Sequence, residues 1–344
     1  MYKIGIIGVN GLVGKAILQS IKILCVENHE YIFFGSIEGE IFFNGIQKVH
    51  KFHLRVLNEL DYAILAVDNS IAKTIYEYKF NLKLPVIIID NSSEYRLYPN
   101  VSLCIPEINS HSLKEKKFIS NPNCVTTLMC MVLKPLLELA NINRIVASTY
   151  QAASGAGYKG LDELEIQTKQ IVSNEELTKD FWKRQYIYNV FSHNSKILSN
   201  GFNEEEMKLV NETKKILDID CKISVTCIRV PTLRSHCISL NVAFDKELNK
   251  EDILIKLNKF NGIKVFDFPD ENKFPEPVFT SEKTDVYVGR IRSDIDDLRC
   301  WNFFISGDQL LKGAGYNSVQ ILKYLLEYIL VKIYKIILIR KNII

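Results

Sequence analysis

Ser120-Asn121-Pro122-Asn123-Cys124-Val125-Thr126-Thr127 puts a thiol where a proline-stiffened turn gives way to a run with helical spacing, LMCMVLKPLLELA. A helix N-terminus presents unpaired N–H groups and the positive end of the helix dipole. Both lower a thiol's pKa from its usual value of about 8.5 and favour the nucleophilic thiolate. Taken alone, the stretch fits an inert buried cysteine at least as well.

Two more segments carry candidate chemistry. In YQAASGAGYKG (150–160), Gln151 comes off a strand and is followed by Ser154, Gly155, Gly157 and Gly160. Small, permissive residues let a flat ring or a phosphate approach the backbone; an ordinary glycine-rich loop reads the same way. In CIRVPTLRSHC (227–237), Arg229 and His236 lie near a strand end and the turn after it. An arginine can clamp a carboxylate with paired hydrogen bonds. A histidine can take or return a proton near neutral pH, although His236 alone reads more simply as structural.

The elements that must position these groups follow from hydrophobic patterning. KIGIIG (3–8), YIFFGS (31–36), DYAILAVD (61–68) and PVIIID (85–90) are continuous apolar runs, the pattern of strands buried on both faces. Helical stretches, such as NSIAKTIYEYKF (69–80), separate some of them, which argues a parallel, doubly wound sheet. Glycines 8, 11 and 14 follow the first strand and open a helix, a placement that brings the backbone close to a pyrophosphate. Tight helix–strand packing without a ligand would use the same residues. The second strand ends on Gly35-Ser36-Ile37-Glu38, with no arginine to pair a 2′-phosphate. Ser36 can donate to such a phosphate, whereas Glu38 would repel it and suit a free 2′-hydroxyl. Beyond about residue 143 the character changes: RIVASTYQAAS (144–154), KISVTCIRVPT (222–232) and HCISLNVAF (236–244) read as strands, the last with one wet face, and EEEMKLVNETKKIL (204–217) as a helix. Fewer helical crossovers separate them, so a largely antiparallel or mixed sheet is expected. The stretch 315–339 is long and apolar but broken by Lys323, Glu327, Lys332 and Lys335, which predicts an amphipathic helix and not a membrane span.

Composition excludes several classes. The 344 residues suggest about two domains. A net charge of +3, without a basic stripe, gives no case for nucleic acid or anionic lipid. None of the eight cysteines forms a Cys-x-x-Cys pair, so no zinc ribbon or other metal site is expected. Scattered thiols with no secretory signal fit a reduced cytoplasm.

A thiol at a helix start, a later histidine and a dinucleotide loop together are what thiol-dependent aldehyde or acyl-phosphate chemistry needs. At this point the chain resembles the aspartate-semialdehyde dehydrogenase family over nearly its whole length. GIIGVNGLVG, IDNSSEYRLYPNVSLCIPEIN, SNPNCVTT, YQAASGAG, NEEEMKLVNETKKIL, RVPTLRSHC, VGRIRSDIDDLRCWNFF and KGAGYNSVQI match the family's motifs in order. The departures are Asn10 in the glycine loop, Ser235 and Cys237 around the histidine, and the missing arginine after the second strand.

The resemblance implies a glyceraldehyde-phosphate-dehydrogenase-like architecture. A Rossmann-like parallel-sheet nucleotide domain (1–123 plus 309–344) is joined to an α+β catalytic and dimerisation domain (124–308). It implies Cys124 as nucleophile, Gln151 as substrate orienter and His236 as acid/base. Asn123, Arg229 (α-carboxylate), Glu205 (amino group), Arg96 and Lys208 (phosphate) would hold the substrate. Gly8, Asn10, Gly11, Leu12, Val13, Gly14, Ser36, Ser154, Gly155 and Asn317 would line the cofactor, NADP or else NAD. The implied reaction is reductive dephosphorylation of aspartyl 4-phosphate to aspartate semialdehyde, on the route to lysine, threonine and methionine, by a cytoplasmic homodimer. N-acetyl-γ-glutamyl-phosphate reductase, with the same architecture and thiol chemistry, and a catalytically dead nucleotide-binding relative are the alternatives.

Overall fold

Strands that are apolar along their whole length can be buried only if helices cover both faces of their sheet. In the computed structural model, which describes residues 1–341 and the side chains of residues 1–328, the chain forms two compact units. Residues 1–10, 14–121 and those from 315 on make the first; residues 11–13 and 122–314 make the second.

The first unit runs β1 (Lys3–Ile7), α1 (Leu12–Ile23), β2 (Glu30–Gly35), β3 (Gly39–Phe42), β4 (Ile46–Lys51), β5 (Tyr62–Leu65), α2 (Asn69–Asn81), β6 (Ile87–Asp90), β7 (Ser102–Leu103), α3 (Pro106–Asn109) and β8 (Phe118–Ser120). Its sheet has the order β3-β4-β2-β1-β5-β6-β8-β7 and is parallel except for the β3/β4 pair. Strand β1 has β2 on one side and β5 on the other, so the carboxyl end of β1 is a topological switch point. Ligands of open α/β sheets bind at such points. The β3/β4 hairpin lies between runs too mixed in polarity to read as strands, but its turn is Asn44-Gly45, both at positive φ. That pair is the strongest short-range hairpin signal.

The second unit contains α4 (Cys124–Leu136), β9 (Ile142–Gln151), α5 (Gly157–Val172), β10 (Phe191–Ser192), α6 (Glu204–Leu217), β11 (Lys222–Arg229), β12 (His236–Phe244), α7 (Lys250–Lys259), β13 (Ile263–Val265), α8 (Pro277–Thr280), β14 (Val286–Ser293) and β15 (Cys300–Gly307). Its sheet has the order β10-β11-β9-β12-β15-β14-β13 and is mixed: β9 lies parallel to β11 and antiparallel to β12. The alternation expected for β12 holds only past its start, since His236, Cys237 and Ile238 are all buried. Helix α4 is buried all round from Val125 to Leu133, the signature of a core helix. The chain then returns to the first unit with α9 (Tyr316–Lys341), which buries Val319, Ile321, Leu322, Leu325 and Leu326. Among the described residues no helix is long and apolar enough to cross a membrane. The expected amphipathic face of 315–339 lies outside the described side chains from residue 329 on.

Candidate active site

Cys124 is the first residue of α4, and it is partly exposed at the head of an otherwise buried helix. Asn123 caps that helix: its side-chain oxygen accepts from the amides of Val125 (2.9 Å) and Thr126 (3.2 Å). This is the ordinary N-cap arrangement, worth about 1 kcal/mol, and it leaves the Cys124 end of the helix dipole facing outward. Among the described residues Cys124 alone of the cysteines stands in the first turn of a helix of eight or more residues. Its core counterparts read as inert, since burial pushes the Cys227 thiol up to about 12 and the Cys237 thiol to about 11.

The sheet register explains why residues far apart in sequence meet. Gln151 closes β9 and Arg229 closes the parallel β11, directly paired in register. Strand β12 runs the other way and pairs Cys237 with Tyr150, so His236 arrives at the same end. Strand alternation and pairing therefore set Gln151, Arg229 and His236 side by side, each at most 4% exposed. Helix α6 adds Glu205. Its start is fixed by a reciprocal capping box, in which Asn203 and Glu206 each accept from the other's backbone amide.

Hydrogen bonds join these groups. The Asn123 side-chain amide donates to Glu205 Oε1 at 2.8 Å, and Gln151 Nε2 lies 3.4 Å from the same oxygen. Glu212, two turns further along the same face of α6, accepts from the Asn123 backbone amide at 2.6 Å. Lys208 pairs with Glu205 Oε2 at 3.3 Å. Burial alone would raise the Glu205 carboxyl, but the charge of Lys208, the Asn123 amide and the charge of Arg229 outweigh it and hold the group ionised. Arg229 donates from Nη1 to the Ala152 carbonyl at 3.2 Å and lies over the Trp182 ring, 5.4 Å from its centroid. Its electrostatic neighbours include Cys124 and His236.

His236 is fully buried, and its Nδ1 accepts from the Ala152 amide at 3.0 Å. An acceptor nitrogen carries no hydrogen, so the neutral ring holds its proton on Nε2. Among the described residues Nε2 has no hydrogen-bond partner. Burial, reinforced by the charge of Arg229, lowers the His236 pKa to about 3, so the ring is neutral at pH 7. The space before Nε2 exists because residue 155 has no side chain: a Cβ there would lie 3.0 Å from His236 Nε2 and 3.2 Å from Arg229 Nη1. Gly155→Ala is therefore expected to lower kcat/KM by about 10- to 100-fold, the scale of small misplacements at a reacting centre. Steady-state kinetics on a variant of unchanged melting temperature would check it, and a wild-type kcat/KM would contradict it.

A second expectation concerns stability. His236 and His193 both have pKa values lowered by burial from the ordinary 6.5. The unfolded chain takes up protons at both as pH falls through 6.5, while the folded chain does not until much lower pH, so stability is lost on acidification. His236 alone contributes about 2 kcal/mol of loss between pH 6.5 and 5, at about 1.4 kcal/mol per pH unit. Urea unfolding midpoints should fall accordingly between pH 7 and 5. An unchanged midpoint would contradict the buried, neutral imidazoles.

The remaining expected residues lie elsewhere. Gly8, Asn10, Gly14, Ser36, Arg96 and Asn317 are in the first unit, and Gly11, Leu12, Val13, Ser154 and Gly155 group with the second. Gly8 has φ +91, and a Cβ on it would meet the Ala66 carbonyl oxygen at 2.1 Å. A Cβ on Gly14 would meet the Gly8 oxygen at 2.4 Å. These two glycines are thus demanded by tight packing of the turn, whatever else they do. The turn still suits an anion: it sits at the switch point, opens a helix with no acid in its first turn, and leaves residues 10–13 at least partly exposed. The residues fit a dinucleotide on these grounds. Ser36 and Glu38 are exposed beyond β2, and Asn10 Nδ2 lies near its last residue, Gly35. Buried Arg96 donates to the Asn91 carbonyl at 2.9 Å. Asn317, also buried, donates to the Cys104 carbonyl (2.9 Å) and to Asn121 Oδ1 (2.7 Å), bracing its own unit. Ser154 accepts from Gln309 Nε2, which fixes the loop before α5.

Two neighbours of these groups went unread in the sequence. Gly313 backs Cys124, since a Cβ on it would lie 2.7 Å from Cys124 Cβ; its only signal was the glycine pair in KGAGYN. His193 contacts Arg229, and nothing local to residue 193 announces it.

A thiol at a helix head with a buried guanidinium among its electrostatic neighbours, and an imidazole beside that guanidinium, suits a dehydrogenase, and comparison with known proteins reaches the same class. Residues 3–116 match the family model of the semialdehyde dehydrogenase NAD binding domain, and residues 133–312 that of the semialdehyde dehydrogenase dimerisation domain. The chain is 34% identical over 340 residues to the aspartate-semialdehyde dehydrogenase of Aquifex aeolicus, covering 95% of this chain and 98% of that one. It is 40% identical over 242 residues to that of Prochlorococcus marinus, covering 70% and 71%. The crystal structure of aspartate semialdehyde dehydrogenase II from Vibrio cholerae, complexed with ASA, superposes with a TM-score of 0.89 at 28% identity, over 95% of this chain and 98% of that one. The chain belongs to the aspartate-semialdehyde dehydrogenase family.

Proposed function

We propose that this protein interconverts aspartyl 4-phosphate and aspartate semialdehyde, with Cys124 as the covalent nucleophile. The observation that carries the reading is the buried His236. Its Nδ1 is engaged by a backbone amide, and its Nε2–H is left without a partner in the space kept by Gly155.

The chemistry follows from the residues. The Cys124 thiolate, stabilised by the α4 N-terminus, attacks the acyl carbon; the C–O bond to phosphate breaks and phosphate departs, leaving a thioester on sulfur. When bound, the nicotinamide supplies or removes hydride at that carbon. The oxygen then carries a developing negative charge, and the His236 Nε2–H donates to it. Collapse breaks the C–S bond, frees the aldehyde and returns the thiolate. His236 thus acts first as a donor, a narrower role than the acid/base role implied by resemblance.

Arg229, with a second hydrogen on each η-nitrogen, suits the substrate carboxylate, and ionised Glu205 suits its ammonium. Arg96 and Lys208 are proposed for phosphate. Asn123 keeps its oxygen on the helix cap, so its contribution to substrate is through the amide nitrogen. Gln151 lies between Thr149 and Glu205 and orients the bound chain.

Gly8 to Gly14, Ser36, Ser154, Gly155 and Asn317 are proposed to hold the nicotinamide nucleotide, with NADP as the working form. The solved Candida albicans aspartate semialdehyde dehydrogenase contains NADP, but at 20% identity that likeness speaks for the fold alone. No cation stands among Ser36, Ile37 and Glu38 to favour a 2′-phosphate, so NAD should also be accepted. A steady-state assay of phosphate-dependent reduction of each nucleotide by aspartate semialdehyde tests both parts. Activity with both, within about tenfold in kcat/KM, is expected, since no paired arginine separates them. No reduction of either nucleotide would overturn the proposed activity.

A homodimer is proposed through the second unit. One face of its sheet, including Val146, Ser148, Asn241 and Phe304, is left only half-buried in the single chain. All eight cysteines are free thiols, which supports a cytoplasmic working place.

A further inference from the structure

Arg229 Nη2 lies 2.7 Å from His193 Nε2. A guanidinium has only hydrogens to offer, so Nε2 accepts and the ring is the Nδ1–H tautomer. Nδ1 lies 3.1 Å from Ser195 Oγ, and that oxygen also accepts from the Glu205 backbone amide at 3.2 Å. The Ser195 amide, 3.3 Å from Nδ1, makes no bond in this tautomer. The residue is placed by backbone pairing: β10 lies against the end of β11, with Phe191 opposite Arg229, and the His193 amide donates to the Cys227 carbonyl at 2.8 Å. The result is a fixed relay from the guanidinium, through the imidazole and the serine hydroxyl, to the head of α6.

We infer that His193 is a positioning residue of this enzyme: as a neutral acceptor it fixes the plane of Arg229 and, through Ser195, sets the separation between Arg229 and Glu205. The inference rests on the reading of Arg229 and Glu205 as the substrate's carboxylate and ammonium partners. It adds that their spacing is held by an imidazole that never meets the substrate. Arg229 is braced on three sides, by the Ala152 carbonyl, the Trp182 ring and His193. Of these only His193 links it to the element that carries Glu205. Burial lowers the imidazole's pKa and keeps it an acceptor at neutral pH.

The test compares Arg229→Ala, His193→Leu, His193→Gln and Ser195→Ala, each assayed with aspartate semialdehyde, phosphate and nucleotide. Leucine removes the acceptor, so KM for the semialdehyde should rise by about 10- to 100-fold, the scale of a lost hydrogen bond to a charged group. The KM for nucleotide should hold and kcat should change far less. Glutamine offers an acceptor oxygen and should restore most of the semialdehyde KM. Ser195→Ala breaks the relay without a large cavity and should raise that KM by a few-fold. It also stands in for His193→Leu should the latter fail to fold. If Arg229→Ala leaves the semialdehyde KM unchanged, the underlying reading of Arg229 fails. If Arg229→Ala raises it while His193→Leu and Ser195→Ala do not, the positioning role of His193 is overturned. Equal damage from glutamine and leucine would also overturn the role, because the acceptor would then be irrelevant.

Discussion

Cys124→Ser is expected to lower kcat by at least about 10⁴-fold while leaving nucleotide affinity within about twofold, because a serine hydroxyl at neutral pH offers almost no oxyanion to the acyl carbon. The substitution is nearly isosteric, and it leaves the Asn123 cap and the start of α4 intact, so the fold should be unaffected. The same exchange at Cys130, Cys227 or Cys237 should cost stability at most, since burial raises each of those thiols and keeps it neutral. Steady-state rates together with nucleotide titration of the variant separate the two effects. A Cys124→Ser enzyme retaining a tenth of the wild-type rate would remove the sulfur from the mechanism.

His236→Ala should lower kcat by about 10²- to 10⁴-fold, the range for loss of a positioned proton-transfer group or oxyanion donor. His236→Gln is informative beside it. A glutamine side chain can accept from the Ala152 amide and donate towards the vacated Nε2 position, so partial recovery is expected if donation is what matters. Because the resting ring already carries its hydrogen on Nε2 and is neutral, kcat should show no titration of His236 between pH 6 and 8. A kcat profile with a histidine-like pKa near 6.5 that vanishes in His236→Gln would contradict the donor role.

Much of this was legible in the sequence because the signals were local. The apolar run of β1 with its glycine turn, the start of α4 at Cys124, the extent of α6 at 204–217 and that of β12 at 236–244 all follow from periodicity and capping chemistry. The rest depends on pairing between distant segments. His236 on its own reads as a core histidine. Only the β9/β12 register, which gives it the Ala152 amide and an open Nε2, sets it apart from one. Gly155 was expected to admit a cofactor, yet its Cβ position is closed off by His236 and Arg229, a constraint no linear pattern carries. His193 was missed for the same reason, since its role arises from a two-residue strand, β10, laid against Arg229. Ser235, a departure from the family's glycine, takes up φ +68 and is held by Gln309 and Ser281, so the chain keeps the left-handed turn without glycine's freedom.

The central claim, a thioester on Cys124, is tested most directly by mixing the enzyme with aspartate semialdehyde and oxidised nucleotide in the absence of phosphate, quenching in acid, and mapping the protein by mass spectrometry. Without phosphate to discharge the acyl group, a burst of reduced nucleotide stoichiometric with enzyme should appear, with an aspartyl adduct on the peptide that contains Cys124 and nowhere else. A full burst with Cys124 unmodified, or an adduct that persists in Cys124→Ser, would contradict it.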